Sequence, residues 1–185
     1  MSGPEFPVGE FVARADVDAQ FRASLINEME EAPARWQAVV AQVPDTILDS
    51  KYRNWTIRQI VHHVADSHTN SYIRFKWTLT ENQPRIKAYD EAAWVALKDA
   101  SELPVEPALR LLEGLHQKWC QLLRSMSEDD FARKFEHPET NAVQSLNEVL
   151  QYYPWHSQHH LGQIVWLLNQ NGLEIKLDFD PGLAD

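Results

Sequence analysis

Hydrophobic positions recur at three- and four-residue spacing along most of this chain, the interval that places side chains on one face of an α-helix. The first such stretch begins near Asp16-Val17-Asp18 and carries Phe21, Leu25, Ile26 and Met29. Pro33 is predicted to interrupt it, since proline lacks the helical N–H and clashes with the preceding turn. A second piece starting there carries Trp36, Val39, Val40 and Val43 and closes at Pro44. The next helix is predicted from an N-cap at Thr56 to about Thr80, with Ile57, Ile60, Val61, Val64, Tyr72, Phe75 and Leu79 in its apolar line. Another runs from about Val105 to Met126, and a short helical start follows at Ser127–Asp130. The last long helix opens on Ser145-x-x-Glu148, passes through Pro154 with an expected kink, and ends near Asn171-Gly172. Residues 1–15, 47–54 and 135–141 read as irregular, and the last dozen residues as a tail. No stretch shows convincing strand alternation. The prediction is an all-α four-helix bundle in a single domain, 1–185. Residues 81–104 form a loop of functional length between helices 2 and 3, with Tyr89 and Trp94 tucked against the bundle.

Composition narrows the function. The 17 Lys and Arg against 27 Asp and Glu give a net charge of −10, without the clustered cations that a nucleic-acid surface needs. No run of 18 apolar residues and no signal-peptide pattern is found, so no membrane role is expected. Cys120 is the only cysteine, which excludes an internal disulfide and points to a reducing cytoplasm.

The histidines carry the candidate chemistry. His156 and His160 lie one helical turn apart and share an inward stripe with Val149, Tyr153, Ile164 and Leu167, whereas His159 sits about 60° round the helix. On the second helix, His62 shares a polar line with Arg58, Asp66 and Thr69. His63 lies beside Ile60 and Val64 and faces inward, and His68 is on neither side decisively. His63, His156 and His160 are therefore proposed around one divalent ion; imidazole suits zinc, nickel, cobalt or ferrous iron. Three protein ligands leave a position open, as a catalytic metal requires, and a carboxylate is expected on some ligand's outer ring nitrogen. Glu113-x-x-His116 matches half of a di-iron motif but, without the other half, reads as a helix-surface pair. Cys120 reads as a buried thiol and not a nucleophile.

The segments from Trp55 through His62-His63-Val64-Ala65-Asp66 to His68, and Trp155-His156-Ser157-Gln158-His159-His160, resemble the DinB-like superfamily. More narrowly they resemble the YfiT-type metal-dependent hydrolase group, which includes bacillithiol S-transferases. Phe6-Pro7-Val8-Gly9, Lys51-Tyr52-Arg53, the loop from Leu79 to Trp94, and His137-Pro138-Glu139 extend the likeness over nearly the whole chain. The resemblance implies an up-down-down-up four-helix bundle, a homodimer, and zinc or nickel on His63, His156 and His160. It also implies a small-molecule substrate, with either water or a low-molecular-weight thiol as the activated nucleophile. A non-enzymatic metal- or haem-binding bundle is the other reading; a third histidine aimed at the same point favours a naked ion. The chain departs from the resemblance at Arg53-Asn54, where the group usually has Gly-Gly, at Pro154, and at Gln163, where relatives often carry another His.

Overall fold

The computed structural model describes residues 3–175, so the expected C-terminal tail lies almost wholly outside the described residues. Four long helices dominate: α1 (Ala19–Val40), α2 (Ile57–Thr80), α5 (Glu106–Ser125) and α7 (Leu146–Gln170). Three short ones, α3 (Glu91–Val95), α4 (Lys98–Ser101) and α6 (Glu128–Ala132), fill the connections. Helices α1 and α2 each pack against both α5 and α7, the arrangement of a four-helix bundle.

Local signals set the helix starts. Thr56 caps α2, its hydroxyl accepting from Gln59 N–H while the Gln59 side chain accepts from Thr56 N–H. Ser145 and Glu148 close the same reciprocal box at the start of α7, and Ser127 with Asp130 at α6. At the far end of α7, Gly172 has φ +80°, a left-handed conformation that glycine adopts without steric cost.

The expected break at Pro33 is corrected: α1 runs through it as one helix. Proline removes the N–H that would bond the carbonyl four residues back, here that of Met29. That carbonyl is satisfied from outside the helix, by His116 Nδ1 of α5 at 2.5 Å. Burial of Ala32, Pro33 and Trp36 against the neighbouring helices holds the two halves in line. Pro154 likewise lies within a continuous α7.

Two connections are more structured than expected. Residues 51–56 form a tight hairpin of β1 (Lys51–Tyr52) and β2 (Trp55–Thr56), and β3 (Lys134–Glu136) pairs antiparallel with β4 (Val143–Ser145). The long loop contains α3 and α4 and is pinned to α2, with Gln59 Nε2 donating to the Val95 carbonyl and Arg58 to that of Leu103. Its first part runs beside β3, Ile86 N–H donating to the Glu136 carbonyl. Tyr89 and Trp94 pack on each other, ring centroids 4.6 Å apart, but Trp94 stays exposed and is not tucked against the bundle as expected.

The apolar interior divides in two. One cluster gathers Trp36, Ile57, Ile60, Val64, Leu112, Leu161 and Ile164; the other gathers Met29, Phe75, Trp119, Leu123, Leu146, Leu150 and Tyr153. Every long helix passes from one cluster to the other. On three of them the step is occupied by buried histidines: His63 and His68, His116, and His156 and His160. Desolvating five imidazoles is costly unless each is paired or ligated. This band is the candidate site.

Candidate metal centre

The inward faces of α2 and α7 bring His63, His156 and His160 together, all buried, with one ring nitrogen of each within 4.8 Å of the others. His63 Nε2 and His156 Nε2 are 3.3 Å apart. In a tetrahedral site with metal–nitrogen bonds of about 2.0–2.1 Å, ligand nitrogens stand about 3.3–3.4 Å apart. The His63–His156 pair thus already stands at ligand spacing, and His160 lies near enough to complete a set for one divalent ion. Trp55, held by the β1–β2 hairpin, covers the cluster, its ring 4.5 Å from that of His63 and stacked at 6.3 Å from that of His160.

Burial keeps these rings neutral. It lowers His63 to about 4, and His156 and His160 well below the usual histidine range, with neighbouring imidazoles adding to the effect. A neutral imidazole has a lone pair to donate, whereas an imidazolium has none.

Two of the three outer nitrogens are held, and not by a carboxylate as expected. His160 Nδ1 meets Gln163 Oε1 at 2.9 Å; an amide oxygen only accepts, so His160 donates from Nδ1 and keeps Nε2 bare. The Gln163 amide nitrogen in turn donates to His159 Nε2 at 2.9 Å. His156 Nδ1 lies 3.2 Å from His68 Nε2, and His68 Nδ1 lies 2.7 Å from His116 Nε2. Of the ligand candidates, His63 Nδ1 alone is buried without a partner among the described residues. His62 is half-buried and pairs with the Pro104 carbonyl instead of joining the cluster.

His116 is thus a buried residue of the polar band and not half of a surface pair, although Glu113 does lie on the surface, bonded to Gln37. The surface reading rests on the missing half of the di-iron motif; helical spacing itself puts His116 on the buried face, four residues after Leu112 and seven before Leu123. Its partner there is a carbonyl on α1. Cys120 is fully buried, and burial pushes its thiol up to about 11, so it is inert as a nucleophile.

Against this cluster opens a polar cavity of about 210 Å³, with His156 in its wall beside Arg74, Tyr89, Glu91, His137 and Glu139. Arg74 Nε, Tyr89 Oη and His137 Nδ1 are buried with no hydrogen-bond partner among the described residues. Burial raises Glu91 above the ordinary carboxylate range, although Arg74 opposes the shift. Sequence periodicity could not find this cavity, since its lining comes from α2, the long loop, the β3–β4 turn and α7.

Residues 28–164 match the family described as the DinB superfamily. This chain belongs to it. Within the superfamily, the chain is 43% identical over 169 residues to a Bacillus subtilis protein, YfiT, covering 90% of this chain and 95% of that one. It is 42% identical over 165 residues to an Oceanobacillus iheyensis protein, covering 88% and 95%. Both carry the provisional name of metal-dependent hydrolase. The solved structure of YfiT, described as "a probable metal-dependent hydrolase with an unusual four-helix bundle topology", superposes with a TM-score of 0.88, covering 91% of this chain and 98% of that one. The DinB bundle is shared more distantly, as fold alone, with a mycothiol-dependent maleylpyruvate isomerase at 14% identity and TM-score 0.65; 83% of this chain and 63% of that one are covered.

Proposed function

We propose that this DinB-superfamily chain is a metal-dependent hydrolase of a small polar substrate, with His63, His156 and His160 holding one divalent ion, zinc or nickel. The observation that carries the reading is the convergence of three neutral, buried imidazoles at the wall of a cavity lined with unpaired polar groups. The names of the relatives at 40% identity and above support it. A divalent ion bound there supplies positive charge that lowers the pKa of an adjacent nucleophile, towards about 7 for water on zinc.

The chain's own residues do the rest. Arg74, Tyr89 and His137 offer donors already desolvated and without internal partners, so a polar substrate gains hydrogen bonds without competing protein ones. Tyr89 stays protonated at neutral pH because burial holds its phenol well above the usual range, and it therefore donates. Glu91, at the exposed rim of the cavity with its pKa raised from the ordinary carboxylate value, is the carboxyl placed to take up and return a proton. Trp55 limits water access from the hairpin side.

The test is metal analysis of the protein as isolated, followed by ester, amide and thiol substrate panels with the ion present and stripped. Turnover of an ester or amide that disappears with a chelator and returns with zinc or nickel is the expected result. If cobalt(II)-substituted protein instead shows a saturable sulfur-to-cobalt charge-transfer band with a small thiol and no hydrolysis, the nucleophile is a thiol and the enzyme is an S-transferase. Absence of bound metal at stoichiometric supply overturns both.

A further inference from the structure

Three buried histidines outside the ligand set have no place in that reading as it stands, and two of them form a line. The line starts at Met29 on α1, whose carbonyl has lost its helical partner to Pro33, and runs through His116 and His68 to His156. We propose that this line is a polarised imidazole relay. In it, Pro33 and the Met29 carbonyl fix the tautomers of His116 and His68, and these positioning residues hold His156 with Nε2 bare and facing His63.

The polarity follows from one end. A carbonyl can only accept, so His116 donates from Nδ1 across 2.5 Å. His116 is neutral, because burial lowers it to about 4, and a neutral imidazole carries one proton. Its Nε2 must therefore accept, and His68 Nδ1 donates to it at 2.7 Å. His68 is fully buried and its ring partners are two imidazoles, with no carboxylate to balance a second proton, so its Nε2 accepts from His156 Nδ1–H at 3.2 Å. The only nitrogen of His156 left without a proton is Nε2, which lies 3.3 Å from His63 Nε2. One unpaired carbonyl thus sets a ligand's lone pair through two rings that touch no metal. Packing keeps the line straight: the His68 and His116 rings lie within 9° of coplanar, as an in-plane N–H···N bond requires, and Tyr153 and Trp119 lie nearly perpendicular to His68.

Reversing any one ring would set two N–H groups, or two lone pairs, against each other in a buried space, which costs as much as an unmade buried hydrogen bond. Pro33 also acquires a role that its helix-breaking chemistry alone does not suggest. An N–H at position 33 would compete for the Met29 carbonyl on which the whole sequence of protons depends.

The relay's value to metal binding rests on the proposed three-histidine site, but its tautomers do not. Long-range proton–nitrogen correlation spectra of the ¹⁵N-histidine-labelled, metal-free full chain at neutral pH should show His116, His68 and His156 all neutral with the proton on Nδ1. A proton on Nε2 of His68 or His156 overturns the relay, whatever the metal does. The second arm measures zinc affinity by chelator competition. His116→Leu removes the acceptor for His68 two residues away from the ion and should weaken zinc at least tenfold, in line with partners behind ligating histidines elsewhere. His116→Gln restores an amide oxygen at that point and should bind within about threefold of wild type by the same reasoning. His68→Gln should likewise retain an acceptor for His156 Nδ1–H and bind more tightly than His68→Leu. Equal zinc affinity in the Leu and Gln variants at both positions overturns the proposal. If the Leu variants fail to fold, the spectra of the unmodified chain still decide it. Wild type that binds no zinc while showing the three Nδ1–H tautomers sinks the metal site and leaves the relay standing.

Discussion

Acidifying the metal-free protein should unfold it in a pH range where its carboxylates are mostly unaffected. The cause is the buried histidine band. His63 and His116 are held at about 4 in the folded chain against 6.5 when unfolded. Their folded pKa values are depressed, so the unfolded chain binds more protons, and stability is present above 6.5 and lost as pH falls below it. At about 1.36 kcal/mol per pH unit, each of the two loses about 1.2 kcal/mol of stabilising effect between pH 7 and 5.5, or about 2.5 kcal/mol together. His68, His156 and His160 are shifted in the same direction by burial and add to this. Asp66, raised to about 6 by burial beside Asp99, acts in the opposite sense by less than about 1 kcal/mol after allowing for its partial exposure. Urea denaturation in the presence of a chelator at pH 7, 6.2 and 5.5 measures the slope. A loss of at least about 2 kcal/mol with unchanged m-value is expected. A stability flat within 0.5 kcal/mol (about the usual extrapolation error) would show that the buried rings are charged or solvated, and the argument from desolvation would fail.

Replacing His63, His156 or His160 by Ala should each abolish stoichiometric zinc or nickel binding, whereas His62→Ala and His159→Ala should retain it; equilibrium dialysis with metal analysis separates the two groups. The bundle should melt cooperatively without metal, because its two apolar clusters are complete, and gain about 4 kcal/mol at free metal a thousand times the Kd, read from melts with and without chelator. Arg53 sits at φ +54° in the β1–β2 turn, a region that disfavours side chains, so Arg53→Gly should stabilise by about 1 kcal/mol in urea titrations. Ser145→Ala removes the hydroxyl that accepts from Glu148 N–H and should cost about 1 kcal/mol, a Tm drop of about 2–4 °C by calorimetry.

Much of this molecule was legible from short-range pattern. Helical periodicity gave the four long helices, and Thr56, Ser145 and Ser127 marked starts that the structure reproduces, because a cap is a contact within three residues. The inward face of His63 and the one-turn spacing of His156 and His160 follow from the same 3.6-residue repeat, and so brought the three together on paper. What periodicity could not give is any interaction whose partner lies on another helix. Pro33 reads locally as a break, yet α1 continues, because the orphaned Met29 carbonyl finds its donor on α5. His116 reads as a surface residue from an incomplete motif, although its spacing from Leu112 and Leu123 is that of the buried face, and His68 reads as neither in nor out. The strands β1 to β4 are two or three residues long, too short for alternation to register. The polar cavity is assembled from four separate parts of the chain. Spacing along the chain settles which residues can share a helix face and which can be ligands. Which buried polar group answers which emerges only in the folded bundle, because it depends on distances between helices and not along them.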